Sequence, residues 1–105
     1  MDPQMKKGVL DPLVLAILKE GDTYGYKLSE QVSGIMHVAE TALYPVLRRL
    51  EAQEMLSTYS EQHNGRLRKY YRITEMGLAK LREYIDELSE LERIIRTITK
   101  EGGQS

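Results

Sequence analysis

Seven side chains have the types and spacing of an anion-reading surface: Thr41, Tyr44, Arg48, Arg49, Arg66, Arg68 and Lys69. Arginine presents a rigid planar fork of N–H donors that matches a phosphate or a guanine edge, and lysine adds a point charge. A hydroxyl and a phenol supply uncharged donors. Between 66 and 72 the chain carries Arg66, Arg68, Lys69 and Arg72 and no acid; between 83 and 92 it carries Glu83, Asp86, Glu87, Glu90 and Glu92 and no base. The catalytic inventory is poor. His37 and His63 are the only histidines and stand too far apart for a paired-histidine metal motif. The absence of cysteine removes disulfides, thiolate metal sites and a cysteine nucleophile. No glycine loop of phosphate-cradling pattern is present, and the acids at 83–92 read as a solvated helix face. The sequence is not that of an enzyme, and no cofactor is implied.

Two adjoining elements must hold the seven residues. Residues 40–53 read as a helix in which Leu43, Val46, Leu47 and Leu50 form one apolar stripe. The opposite face carries Thr41, Pro45, Arg48 and Ala52, with Tyr44 and Arg49 at its edges. Arg48 is therefore the better placed for a ligand, while Arg49 is as well explained by an ion pair with Glu51, Glu54 or a neighbouring helix. Pro45 predicts a slight irregularity and not a break. Residues 56–60 and 68–74 read as paired strands, with Asn64-Gly65 as the turn. That turn centre sets Leu56 opposite Ile73, Thr58 opposite Tyr71 and Tyr59 opposite Tyr70. Leu56, Tyr71 and Ile73 then face the core, and Tyr59, Arg68, Tyr70 and Arg72 face away from it.

The remaining segments frame this pair. Residues 1–8 show no periodicity and are expected to be a flexible arm. Asp11-Pro12 predicts a helix start, followed by Leu13, Leu15, Ala16, Ile17 and Leu18, a stretch apolar on most sides. Gly21 ends it. A second helix is expected from Thr23, as cap, to Gly34, with Tyr24, Leu28 and Val32 on one face. Two short helices, the second bearing the polar surface, have helix-turn-helix geometry. Thr74 is expected to cap a last helix running to about Lys100, where Leu81, Tyr84, Leu88, Leu91, Ile95 and Ile98 follow a 3-4-3-4-3 spacing. At roughly 38 Å such a helix is too long for one small core to cover, so the seam, with Leu13 and Ile17 of the first helix, is expected to be a homodimer interface. Residues 101–105 read as a disordered tail.

The expected fold is mainly α with a small β-hairpin: a winged helix-turn-helix over residues 9–74 and a C-terminal dimerisation helix over 75–100. At 105 residues this is one small domain, and the net charge of -1 is unevenly spread. Residues 40–74 carry a net +2 and residues 75–105 a net -2. No stretch reaches the ~20 apolar residues of a membrane span, and no signal peptide is recognisable, so a cytoplasmic location is expected.

Three segments in order, Tyr24-Gly25-Tyr26-Lys27-Leu28, Thr41 through Glu51, and Gly65 through Thr74 followed by Gly77, resemble the PadR family of transcriptional regulators over about residues 9–100. The resemblance implies a winged helix-turn-helix dimer on a palindromic double-stranded operator, usually a repressor, sometimes responsive to a small apolar or aromatic effector. It places Thr41, Tyr44 and Arg48 on the recognition helix and Arg66, Arg68 and Lys69 on the wing. Many such regulators carry serine where this chain has Ala39, which leaves the helix less well capped. The chain has no tryptophan or phenylalanine, and Leu88 stands mid-helix. That argues against a flat aromatic-drug site, though Leu88, Tyr84 and the first helix could line an apolar pore. The alternative to a DNA reader is a winged-helix module that binds another protein.

Overall fold

The computed structural model describes residues 2–100, so the tail expected at 101–105 lies outside the described residues. The elements are α1 (Pro3–Glu20), β1 (Thr23–Tyr24), α2 (Gly25–Ser33), α3 (Glu40–Ala52), β2 (Leu56–His63), β3 (Arg66–Ile73) and α4 (Glu75–Thr99).

The first helix begins nine residues earlier than Pro12. The pair Asp-Pro occurs twice in this chain, and it is the first copy that starts the helix: Pro3 occupies the first turn and Asp2 accepts from the Gln4 amide at 3.2 Å. Residues 3–8 are thus helical and not an arm. Pro12 lies inside α1, where it costs a backbone hydrogen bond. Its own burial beside Leu10, Val14 and Leu15 offsets that cost, since each fully buried large aliphatic contributes about 1.5–3 kcal/mol.

The expected cap at Thr23 is also corrected. Thr23 and Tyr24 form a short strand that pairs with Tyr71 and Tyr70, giving a three-stranded antiparallel sheet of order β1-β3-β2. The second helix starts at Gly25, with no side-chain cap bond. In the hairpin, Leu56 pairs with Ile73, Thr58 with Tyr71 and Tyr59 with Tyr70, as the turn position predicts. Asn64 (φ 53°) and Gly65 (φ 78°) both occupy the left-handed region. Two consecutive positive φ values give the turn whose twist matches paired strands.

The core draws Leu10, Val14, Leu15 and Leu18 from α1, Leu28 and Val32 from α2, and the stripe Leu43, Val46, Leu47 and Leu50 from α3. Leu56 and Tyr71 close it from the hairpin, and Leu81 from α4. Leu81, first residue of the expected seam, is only 4% exposed, and Tyr84 packs partly against the same core. The start of α4 therefore folds back onto its own chain, because Leu81 sits within two turns of the sheet. Leu91, Ile95 and Ile98 are exposed, as are Ile85 and Ile94, and the molecule is drawn out to 58 × 26 × 21 Å.

The base of the hairpin is fastened to the start of α4. Thr74 Oγ1 donates to the Glu54 carbonyl at 2.7 Å and accepts from the Gly77 amide at 3.0 Å, and the Thr74 amide donates to the Met55 carbonyl at 3.0 Å. Gly77 is buried against that same Met55 carbonyl, with no space for a Cβ.

Candidate nucleic-acid interface

The polar flank of α3 and the hairpin stand beside one another, joined by the start of α2. The buried stripe of α3 turns Thr41, Pro45 and Arg48 outward, and all three are exposed. Arg48 makes no ion pair with a described residue. The helix runs without a break through Pro45 and has no side-chain cap at Ala39. Tyr44 lies on the flank facing α2 and the sheet. Its ring rests on Gly25, where a Cβ would come 3.2 Å from the ring and its hydroxyl. Its hydroxyl donates to Glu40 Oε2 at 3.2 Å. Burial, then the Glu40 contact, raise the phenol above its ordinary range, so it stays a proton donor at neutral pH.

Arg49 has a different position. Its Nη2 lies 2.5 and 2.6 Å from the two carboxylate oxygens of Asp11 on α1, and Asp11 is only 14% exposed. The ion pair expected with Glu51, Glu54 or another helix is thus made with α1, and Arg49 braces the end of α3.

The wing cations divide between the two faces of the sheet. Arg66, Arg68 and Arg72 project with Tyr59 and Tyr70 from the outer face, because alternate residues share a face. Lys69 projects with Tyr71 from the other face, where it lies 3.8 Å from Glu51 on α3. On the outer face, the Arg68 guanidinium stacks over the Tyr24 ring at 4.3 Å. Tyr24 meets Tyr70 edge-on at 5.6 Å, and Tyr70 stacks on Tyr59 at 5.4 Å. Arg72 covers Tyr59 at 4.8 Å, and both bond to Asp22 Oδ2, at 3.1 Å from Arg72 Nε and 2.8 Å from the phenol. The bond to Asp22 also raises the Tyr59 phenol above its usual range. Arg68 therefore emerges from an aromatic column with its charge unpaired, whereas Arg72 is neutralised. Arg66 is exposed at the tip and makes no ion pair with a described residue.

A cleft of about 280 Å³ separates α3 from the wing, lined by Tyr24, Gly25, Tyr44, Arg68, Lys69 and Tyr71. It brings together one α3 residue and two wing cations of the expected set. Thr41 and Arg48 stand on the adjoining exposed face, and Arg49 is remote from the wing. Sequence reasoning missed Tyr24, the platform beneath Arg68. The signal was there: a β-branched residue and an aromatic between Asp22 and Gly25 can be a two-residue strand as readily as a helix start.

Three helices with a basic hairpin laid beside the third define a winged helix-turn-helix, the architecture of a DNA-binding regulator. The chain belongs to the PadR-like family of transcriptional regulators, whose family model matches residues 14–83. It is 36% identical over 87 residues to transcriptional regulator Rv3488 of Mycobacterium tuberculosis, covering 82% of this chain and 77% of that one. It is similar to the crystal structure of the PadR-like transcriptional regulator BC4206 from Bacillus cereus, with a TM-score of 0.85 and 31% identity over 96% of this chain and 99% of that one. The structure of smu.1704 from Streptococcus mutans is similar with a TM-score of 0.84 and 36% identity, covering 93% of this chain and 92% of that one. The protein is thus a DNA-binding transcriptional regulator and not an enzyme. Among the described residues no helix is long and apolar enough to cross a membrane.

Proposed function

We propose that this regulator is a homodimeric repressor that reads a palindromic operator with α3 and holds its backbone with the wing. The observation that carries this reading is the pairing of an exposed, unpaired Arg48 and Thr41 on α3 with the unpaired Arg66 and Arg68 on the adjoining outer sheet face. A helix of this breadth fits the ~12 Å major groove, where a guanidinium reads a guanine edge. Guanidiniums on the hairpin contact phosphate and fix register without reading sequence. Tyr44 and Lys69 line the cleft between the two and steady their relative position. The two copies associate through the half-buried Leu88 and the exposed Leu91, Ile95 and Ile98 of the α4 seam, with Leu13 and Ile17 of α1. An apolar groove of about 420 Å³, with Leu13, Leu81 and Leu88 in its wall, is where a small apolar or aromatic effector would enter that assembly.

The test begins with selection of bound duplexes from a random pool. On the selected operator, Arg48→Ala is expected to cost about 1–3 kcal/mol of discrimination per half-site, seen as a narrowed gap between operator and random DNA. An equal loss on both would move Arg48 to the phosphate-contacting class. The double change Arg66→Ala with Arg68→Ala should weaken both duplexes alike and reduce the slope of log K against log salt by about 1.8 per protomer, or about 3.6 for the dimer, at ~0.9 per phosphate contact. An unchanged slope would rule out the wing role. Failure of the native protein to bind any duplex would leave the protein-binding module as the reading.

A further inference from the structure

We infer that Lys6 and Lys7, with His37, form a second backbone-gripping edge of the DNA surface, on the flank of α3 opposite the wing. The inference rests on α3 being the helix that enters the groove. A helix in the major groove runs between two phosphodiester walls, one on each side. The wing accounts for one. Its cleft meets α3 at Tyr44. At 100° per residue, Ala42 lies about 160° around the helix from Tyr44, so whatever packs beside Ala42 faces the other wall.

What packs there is the start of α1. A cleft of about 470 Å³ brings Lys6 and Lys7 together with His37 and with Ala42 and Pro45 of α3. A second, of about 390 Å³, again sets Lys6 beside His37 and Ala39. The helices run in the same sense: Pro3 to Lys7 lie along the start of α3, and Asp11 reaches Arg49 near its end. The Asp11–Arg49 pair fixes that alignment, so the earlier start of α1 is what carries the two ammonium groups to this flank. Lys7 and His37 are exposed and Lys6 half-buried, and neither lysine makes an ion pair with a described residue. Asp11, the one acid lining either cleft, is held by Arg49. The edge is therefore positive and unpaired, with apolar α3 residues beneath it. It suits phosphate and carries no means of reading a base.

The double variant Lys6→Ala with Lys7→Ala tests this in the full chain, using the selected operator and a random duplex of equal length. The expected result is a uniform loss on both duplexes and a fall of about 1.8 per protomer in the salt slope, or about 3.6 for the dimer, with circular dichroism and sedimentation unchanged. The pair Lys6→Arg with Lys7→Arg should restore the slope, because it keeps both charges. An unchanged slope in the alanine variant, beside a reduced slope in the Arg66 and Arg68 variant, overturns the second edge while leaving the wing in place. A fall that the arginine variant does not restore overturns it in favour of a packing role. If the native chain binds neither duplex, the underlying reading of α3 fails first.

Discussion

Leu91→Asp is expected to convert the proposed dimer to a monomer at micromolar concentration and to lower its affinity for a two-half-site operator by roughly 10²–10⁴, the advantage lost when two linked sites act singly. Leu91 is 44% exposed in the chain and lies outside the buried core, so the substitution leaves the fold of each copy intact. In a two-fold assembly the same patch meets itself or its neighbour, so one change places two carboxylates in the contact. Sedimentation gives the oligomeric state, circular dichroism the helix content, and a titration on half-site and full-site duplexes the affinities. Half-site binding should survive. A variant that sediments as the native dimer would show that the C-terminal half of α4 is not the interface.

Gly77→Ala is expected to destabilise the fold by about 3 kcal/mol, the upper end of the usual cost of overpacking. For a domain of this size that lowers the Tm by roughly 12–20 °C. A Cβ at Gly77 would overlap the Met55 carbonyl oxygen and stand 2.7 Å from Ile73 Cγ1. Neither can withdraw easily. The Met55 carbonyl is already an acceptor for the Thr74 amide, and Ile73 is fixed by its pairing with Leu56. The direction is informative, because alanine is the better helix former by about 1 kcal/mol, so propensity alone gives the opposite sign. Gly8, inside α1 with nothing within 4 Å of its would-be Cβ, supplies the matched control, and Gly8→Ala should raise the Tm. Thermal unfolding of the two variants beside the native chain decides the matter; two upward shifts would show that α4 can move off the hairpin base at little cost.

The parts of this architecture that could be read from the chain are those fixed by local chemistry. Asn64-Gly65 admits few turns other than the one observed, and that turn sets the register of all eight hairpin pairs. The 3.6-residue period of Leu43, Val46, Leu47 and Leu50 sets the rotation of α3, and with it the outward face of Thr41 and Arg48. What could not be read depends on distant partners. Pro12 could pass as a helix start because its cost inside α1 is offset by burial that only the folded chain supplies. Thr23-Tyr24 is a strand only because β3 offers an edge to pair with. Arg49 and Arg48 are neighbours of the same type, yet Asp11, 38 positions away, takes one and leaves the other. The split of the wing cations was implicit in strand alternation, but the carboxylate waiting for Lys69 belongs to α3. Leu81 shows the same limit: its place in a regular seam does not reveal that its own core covers it.

The fastening of α4 to the hairpin has a mechanical consequence. From Gly77 to Thr99 the helix is a rigid arm whose near end is pinned by Thr74 and the Met55 carbonyl and whose far end is bare. Over roughly 30 Å of helix, a tilt of about 5° at the pin carries the far end ~2.6 Å. That displacement is comparable to the rise between stacked base pairs. In the proposed dimer, small adjustments in the packing of one glycine would in this way be geared up into the separation of two wings.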